Sequence, residues 1–470
     1  MEHMAMAVIF FFFIILYLLC RLSLSCWVFP FLTHRRLKKN GLTGPSPSFP
    51  LGNLSEMKKK TNTGSSSCTN SISHDIYSTL FPHFARWRNS HGKVFVYWLG
   101  TEPFLYIADP VLVKKLSTQV SAKNWGKPTV FKRDRAPMFG NGLIMSDCLK
   151  AMVSLMVETT RTMLDTWTTQ LRNSDTREID VEKSIRETAG EIIAKASFGI
   201  SYQSDHHVFE KFRALQISLF QTKRLLGVPF GKFLYLKQAL EASRLGKEIN
   251  QLDQQGSFRK ALTTQQLVDE CKTFFFSGHE TSALSIIWTM LLLATNPEWQ
   301  NELREEIREV VGDNKELHFN MLAGLKKMGW VMNEVFRLYP SGPNAQRQAK
   351  DDIRVSEDLT IPRGTNLWID IVGMHHDSEL WGEDVHEFKP ERFKDDINGG
   401  CKHKMGFLPF GFGGRMCIGR NLSFLEYKIV LTLILSRFSF TMSPTYCHCP
   451  STLLTMRPSY GLPLVFQPLD

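Results

Sequence analysis

The stretch Phe407-Leu408-Pro409-Phe410-Gly411-Phe412-Gly413-Gly414-Arg415-Met416-Cys417-Ile418-Gly419-Arg420 decides how the rest of the chain is read. Downstream of it, Leu422, Leu425, Ile429 and Leu433 recur at spacings of three and four, which predicts a helix starting at or just after Cys417. A helix start presents unpaired N–H groups and the positive end of the helix dipole, and both favour thiolate over thiol. Gly411, Gly413, Gly414 and Gly419 surround the sulfur, where backbone must turn sharply or lie flat against a ligand. Arg415 sets a cation two residues away. A thiolate presented in this way suits a soft metal ion with a large planar group packed over the glycines.

Phe410, Gly413, Arg415, Cys417 and Gly419 match F-x-x-G-x-R-x-C-x-G at each fixed position. On these residues the chain resembles the cytochrome P-450s, the haem-thiolate monooxygenases, from about Gly41 to the C-terminus. The resemblance implies a mainly α fold with small β-sheets and one large catalytic domain. It implies haem (iron protoporphyrin IX) as cofactor, with Cys417 as the protein ligand of iron and Arg415, Arg347, Phe410, Gly413 and Gly419 around the ring. It also implies O2, an NADPH-dependent cytochrome reductase and an apolar small-molecule substrate as partners. The linker, the pocket loop and the C-terminal segment look like the plant branch that hydroxylates brassinosteroids, cytokinins and gibberellins, with other terpenoids, steroids and fatty acids also in range.

The chain has 470 residues, 43% of them apolar, enough for a large core. Its net charge of +10 is spread along the sequence without a basic tail or a nucleic-acid motif, so the excess is read as surface facing an acidic membrane or an acidic electron donor. The nine cysteines follow no disulfide framework. Cys447-His448-Cys449 looks like a metal fragment but lacks a second Cys/His pair at zinc-finger spacing. Ala5 to Cys20 is unbroken apolar sequence; Arg21 interrupts it and Leu22 to Leu32 resumes it, long enough for one span if Arg21 snorkels. Arg35, Arg36, Lys38 and Lys39 follow, which by the positive-inside rule keeps the bulk of the chain in the cytosol. The expected organisation is a membrane anchor at 1–34, a basic and Pro-rich linker at 35–73 and a monooxygenase domain at 74–470, single-pass in the endoplasmic reticulum membrane.

Thr264 to Thr295 is a helical pattern apolar on most sides, hence buried. Ser277, Gly278, His279, Glu280, Thr281 and Ser282 interrupt it, and a mid-helix glycine alone costs about 1 kcal/mol. The resemblance supplies a reason: a widened turn where dioxygen binds, with Glu280 and Thr281 as the acid–alcohol pair that relays protons. Otherwise the hydroxyls bond back into the helix. Asn296 to Val311 reads as a charged, exposed helix. Glu334 and Arg337 share a helix face in the next one, Met321 to Tyr339. The resemblance pairs them with Arg392 in a buried structural network. It also gives Arg347, in the strand-rich segment Pro343 to Ile371, a haem propionate to grip, and lets His375 reach one.

Two places depart from the family. Relatives carry a W-x-x-x-R helix where this chain runs Leu143-Ile144-Met145-Ser146-Asp147-Cys148-Leu149, and no Trp of the chain has Arg four residues on. Between Ile249 and Leu262, a Gln-, Gly- and Lys-rich stretch replaces a longer helix. The flanking motifs are intact, as expected of missing exons rather than slow divergence. The competing expectation is therefore a membrane-anchored pseudoenzyme that binds haem loosely or not at all.

Overall fold

In the computed structural model the chain is described over residues 2–58, 72–119, 125–126, 149–173, 176–198, 214, 244, 264–312, 316–357, 359–452 and 454–469. Helix α1 (Glu2–Ser23) passes through a π turn, Leu24–Val28, into α2 (Phe29–Lys39). Ile9–Lys39 is apolar and long enough to cross a membrane. At 1.5 Å per residue its 31 residues reach about 46 Å, against about 30 Å of hydrocarbon. Phe10 to Phe13 are all exposed, as a lipid-facing helix requires. The last turn behaves differently: Leu37 is buried in the main core, and the His34 ring lies 6.1 Å from that of Trp98.

Short helices α3 (Leu54–Met57) and α4 (Tyr77–Leu80) lead to α5 (Pro82–His91), and strands β1 (Val94–Leu99) and β2 (Glu102–Ile107) follow as an antiparallel hairpin. Gly100 turns the hairpin at φ 63°, a conformation that costs glycine little. After α6 (Pro110–Gln119) comes β3 (Trp125–Gly126), then α7 (Leu149–Arg172), β4 (Glu178–Asp180) and α8 (Val181–Phe198). Phe209 to Gly246, whose Phe-, Leu- and Lys-rich sequence reads as helical with a break near Pro229 and resembles the family's pocket-roof helix pair, lies outside the described residues, as do both interrupted stretches and most of Trp125 to Gly142, the segment that resembles the pocket loop.

Helix α9 (Thr264–Thr295) is the central rod. In its second half Leu284, Ile286, Ile287, Trp288 and Thr289 point in different directions around it and are all buried, so this half is covered on every side, while Ser277 before it is exposed. It packs on α8, on α11 (Lys326–Leu338) and on α14 (Arg420–Arg437). Between α9 and α11 runs α10 (Pro297–Val311). It was expected to be exposed, yet it buries Trp299, Leu303, Ile307 and Val311 at successive spacings of four, and Arg304 and Glu306 beside them, and keeps Glu302, Glu305, Arg308 and Glu309 exposed on the other side. Its many Glu and Arg residues hide that stripe in the composition.

β5 (Asn344–Ala349), β6 (Ile353–Arg354), β7 (Thr360–Ile361) and β8 (Asn366–Asp370) precede two short helices, α12 (Ile371–His375) and α13 (Ser378–Trp381). The main sheet runs β1-β2-β8-β5-β3, with β2 and β8 parallel and the other pairs antiparallel. After α14, β9 (Phe438–Met442), β10 (Pro450–Thr452), β11 (Met456–Pro458) and β12 (Pro463–Pro468) form a three-stranded sheet, β4-β12-β9, and a β10–β11 hairpin. The architecture is mainly α with small sheets, as expected. The hairpin turn reaches the middle of α9, and the 407–419 loop sits between α11 and α14.

Candidate active site

Phe407 to Gly419 leaves the core as a loop and returns as α14. Gly411 and Gly413 take φ values of 73° and 62°, which most side chains resist. Gly413 to Arg415 form one 3-10 turn, closed by the Met416 N–H on the Gly413 carbonyl at 3.1 Å. The Cys417 N–H donates to the Phe410 carbonyl at 2.8 Å and fixes the cysteine across the loop. The thiol opens to solvent on one side, between the exposed side chains of Met416 and Ile418. A Cβ on Gly413 would meet nothing within 4 Å, and one on Gly419 would meet only Cys417 Sγ, at 3.9 Å. A flat group therefore has room against this backbone. Burial on its other sides pushes the Cys417 thiol above its ordinary range, while the Gly419 N–H pulls it the other way. That direction opposes the expectation from the helix start: desolvation outweighs the Gly419 N–H.

Arg415, on the 3-10 turn, and Arg347, on β5, flank this opening. The Arg347 guanidinium reaches the Arg415 carbonyl at 3.4 Å. Burial and the charge of Arg415 both lower the Arg347 pKa, a tension that an anion placed between them would relieve. Phe410 stacks on Phe424 of α14 at 5.5 Å and meets Phe336 of α11 edge-on at 5.3 Å. Among the described residues no group of three or more His, Cys, Asp or Glu could hold a bare metal ion. A lone thiol beside two cations fits a metal that brings its other donors in a planar anionic macrocycle, so the residues present fit haem. The Cys447-His448-Cys449 fragment is engaged elsewhere. His448 Nδ1 shares a hydrogen bond with the Tyr446 hydroxyl at 2.8 Å, and Nε2 lies 3.5 Å from that of Tyr339.

Glu280 and Thr281 sit next to each other on α9 but point apart. The Glu280 carboxylate is buried, accepts from Thr455 Oγ1 at 2.8 Å and lies 3.8 Å from Arg186 of α8. The Thr281 hydroxyl donates to the Ser277 carbonyl at 2.5 Å, the back-bonded alternative left open by the sequence. The helix runs through this point as a regular α-helix, without the widened turn that the resemblance led us to expect.

Behind the loop, the predicted charge cluster is assembled. Arg337 donates to both oxygens of Glu334, at 2.7 and 2.8 Å, and both side chains are fully buried. Arg337 also donates to the carbonyls of Val385, Glu387 and His375. Arg392 lies 3.6 Å from Glu334 but 2.7 Å from Asp384, so its nearer carboxylate is one the sequence did not point to. His375 does not extend toward the opening. It is fully buried, with both ring nitrogens engaged by backbone, at Phe336 O (3.2 Å) and Leu408 N (3.0 Å), which removes it from the propionate set.

Three polar residues of this region escaped the sequence. Arg186 lies four after Glu182, the spacing of an ordinary surface pair, and they do bond at 3.1 Å. Thr455 comes to Glu280 from 175 residues away, and nothing local marks it. Glu426 did leave a signal. It stands between Leu422 and Ile429 on the apolar face of α14, and there it is buried against Ser282 of α9 with Oε1 lacking a hydrogen-bond partner.

Comparison with known proteins follows this geometry. Residues 236–463 match the family described as Cytochrome P450. The chain is 34% identical over 502 residues to a cytokinin hydroxylase of Arabidopsis thaliana, covering 95% of each. It is 35% identical to Cytochrome P450 714A2 of Arabidopsis thaliana over 91% of this chain and 92% of the relative. It is 32% identical to Cytochrome P450 714C2 of Oryza sativa subsp. japonica over 94% of each. The first alignment, at 502 positions, is longer than the whole 470-residue chain, so that relative carries residues this chain lacks.

Proposed function

Because the chain belongs to the cytochrome P450 family, an oxidoreductase family with thiolate-ligated haem, we propose that it is a membrane-anchored monooxygenase that hydroxylates an apolar small molecule with O2 and NADPH-derived electrons. The observation that carries this is the open thiol of Cys417 on its glycine cradle between Arg347 and Arg415. Haem bound there supplies activation of dioxygen and insertion of one of its atoms into a C–H bond. The chain's residues do the rest. Cys417 Sγ would ligate the haem iron, with the Gly419 N–H moderating the sulfur's donor strength. Arg347 and Arg415 would meet the haem propionates, while Phe410 and Phe424 close the apolar side of the loop.

Glu280 would hold a proton at its carboxylate and the Thr281 hydroxyl would pass it on toward the cofactor site. For this, the carboxylate has to exchange its Thr455 hydrogen bond for the Thr281 side, and the Thr281 hydroxyl has to leave the Ser277 carbonyl. Glu334, Arg337 and Arg392 hold the loop's support and touch no reacting atom. The electron donor is a membrane-bound, NADPH-dependent reductase, and the setting is the cytosolic face of the endoplasmic reticulum. Two relatives named cytokinin hydroxylase make an isoprenoid-substituted plant hormone the first substrate to try.

The test is the reduced carbon monoxide complex of the full chain. The parent should show the red-shifted Soret band of a thiolate ligand and Cys417→Ala should lose it. A band that survives Cys417→Ala and disappears in Cys401→Ala would refute the assignment. The second reading, a pseudoenzyme, is favoured by one observation: the chain lacks W-x-x-x-R and is shorter than its alignment to a relative. Purified chain that carries the band yet turns over no hormone, terpenoid or fatty acid with reductase and NADPH would support it. Carbonate extraction and protease protection of microsomes test the anchor.

A further inference from the structure

His375 left the propionate set because both ring nitrogens face inward, and what they face identifies another task. Nδ1 lies 3.2 Å from the Phe336 carbonyl, which can only accept. Nε2 lies 3.0 Å from the Leu408 N–H, which can only donate. One protonation state satisfies both partners: the neutral ring with its proton on Nδ1. The ring is fully buried and lies 5.3 Å from that of Phe407 and 6.5 Å from that of Trp381, so water cannot substitute for either bond.

We propose that His375 is a positioning residue for the Cys417 loop, a neutral imidazole that clamps Leu408, where the loop leaves the core, to Phe336 on helix α11. The proposal rests on the reading of Cys417 as the thiolate ligand. The clamp continues to the cysteine through backbone. The Leu408 carbonyl accepts from the Gly411 N–H at 3.1 Å, and the Phe410 carbonyl accepts from the Cys417 N–H at 2.8 Å. It also closes on itself through rings, because Phe336 packs on Phe410 at 5.3 Å. The His375 backbone is held in turn by Arg337, which donates to its carbonyl at 3.3 Å. Loop, α11 and the Glu334–Arg337 pair therefore meet at one residue. Without an acceptor at Nε2, the Leu408 N–H is buried with no partner, and the loop gains by moving toward water. That movement carries the Cys417 sulfur with it.

Three variants of the full chain separate positioning from packing. His375→Gln can place Oε1 where Nε2 was and still accept from Leu408. His375→Asn reaches only the Phe336 carbonyl. His375→Phe keeps the volume and loses both bonds. In the reduced carbon monoxide complex, the share of protein with the thiolate-type Soret band should stay near the parent's in the Gln variant and fall several-fold in the Asn and Phe variants. A Phe variant with the parent's share, or a Gln variant no better than Phe, overturns the clamp.

Residue-resolved hydrogen exchange reads the same bond without the cofactor's spectrum. The Leu408 amide should be protected in the parent and in Gln, and exchange several-fold faster in Asn, with α9 amides unchanged. A parent Leu408 amide that exchanges like an exposed turn amide refutes the proposal even if no variant folds. A parent without the thiolate band refutes the Cys417 reading instead, and the exchange measurement still decides the clamp.

Discussion

Replacing Glu426 by Gln should make the protein more stable at pH 8 than at pH 5 relative to its parent. Glu426 is 2% exposed on α14, bonded to Ser282, and one carboxyl oxygen has no partner. Burial pushes its pKa from 4.5 up to about 8, against the opposing pull of the Ser282 hydrogen bond. Between those values the folded chain holds a proton that the unfolded chain has released. The folded state then binds more protons, so stability falls as pH rises through this window. At about 1.36 kcal/mol per pH unit the whole window amounts to about 5 kcal/mol, of which about 4 falls between pH 5 and pH 8. Gln does not titrate, so it removes the slope and leaves a constant offset from its own hydrogen bonds. The assay is denaturant unfolding of detergent-solubilised parent and Glu426→Gln at matched pH values. Buried histidines shared by both proteins cancel in the difference. A difference that stays flat from pH 5 to pH 8 would refute the reasoning and show that the carboxylate finds a counter-charge or water.

Other expectations follow from the same structure. Glu334→Ala should cost about 3–5 kcal/mol in denaturant unfolding, because it strands the fully buried Arg337; a loss below about 1 kcal/mol would mean that the pair is solvated in the working protein. Burial lowers the pKa values of His74 and His448 to about 4 and of His83 and His375 to about 3, from 6.5 when unfolded. The unfolded chain then binds more protons below pH 6.5, so unfolding midpoints should fall steeply on acidification, and a midpoint constant from pH 6.5 to pH 4.5 contradicts this. Thr281→Ala should keep haem and substrate while diverting NADPH to peroxide, whereas Thr455→Val should slow turnover through Glu280; unchanged coupling in the first removes Thr281 from the relay. Haem should transfer to apomyoglobin faster from this chain than from a version with a relative's W-x-x-x-R helix inserted between Met145 and Leu149, and equal rates would show that the lost contacts do not retain haem.

The sequence was most informative where one local rule dominated. Helix α9 ends at Thr295 as its apolar run predicts, because its second half, buried on all sides, has no polar face to blur the pattern. The Glu334–Arg337 bridge has the spacing of three that puts both side chains on one helix face, but Glu158/Arg161, Glu241/Arg244 and Glu305/Arg308 share that spacing, and only its place ahead of Pro390-Glu391-Arg392-Phe393 in the resemblance singled it out. Helix α10 misled because five Glu and two Arg residues outweigh four buried apolar ones in composition, although the stripe is regular. Thr455 and Arg186 could not be read, since their approach to Glu280 depends on how the β10–β11 hairpin and α8 fold back on α9. His375 was assigned by its resemblance to a loop histidine. Only the placement of two backbone groups, 39 and 33 residues away, shows which way its ring faces.

The two halves of the proposed cofactor site stand on different footings. Its sulfur side belongs to residues 326–437, where Glu334, Arg337, His375, Phe336 and Phe410 interlock around the Cys417 loop through bonds that no longer need the cofactor. The family match, 236–463, contains this half entirely, while the relatives align along 91–95% of the chain. Both interrupted stretches lie outside residues 326–437 in sequence, and one stands at the position where the resemblance puts the W-x-x-x-R propionate contacts. A charge-assisted hydrogen bond contributes about 1.5–3 kcal/mol, so two lost contacts weaken binding by about two to four decades. On the proposed reading Arg347 and Arg415 would supply the cationic field on the sulfur side, and Cys417 would supply the bond to iron. The chain is thus built to hold the ligand atom rigidly even where it holds the ring less firmly. That combination predicts a thiolate-type spectrum at partial haem occupancy, and turnover with reductase and NADPH, rather than the spectrum, then separates a working monooxygenase from a pseudoenzyme.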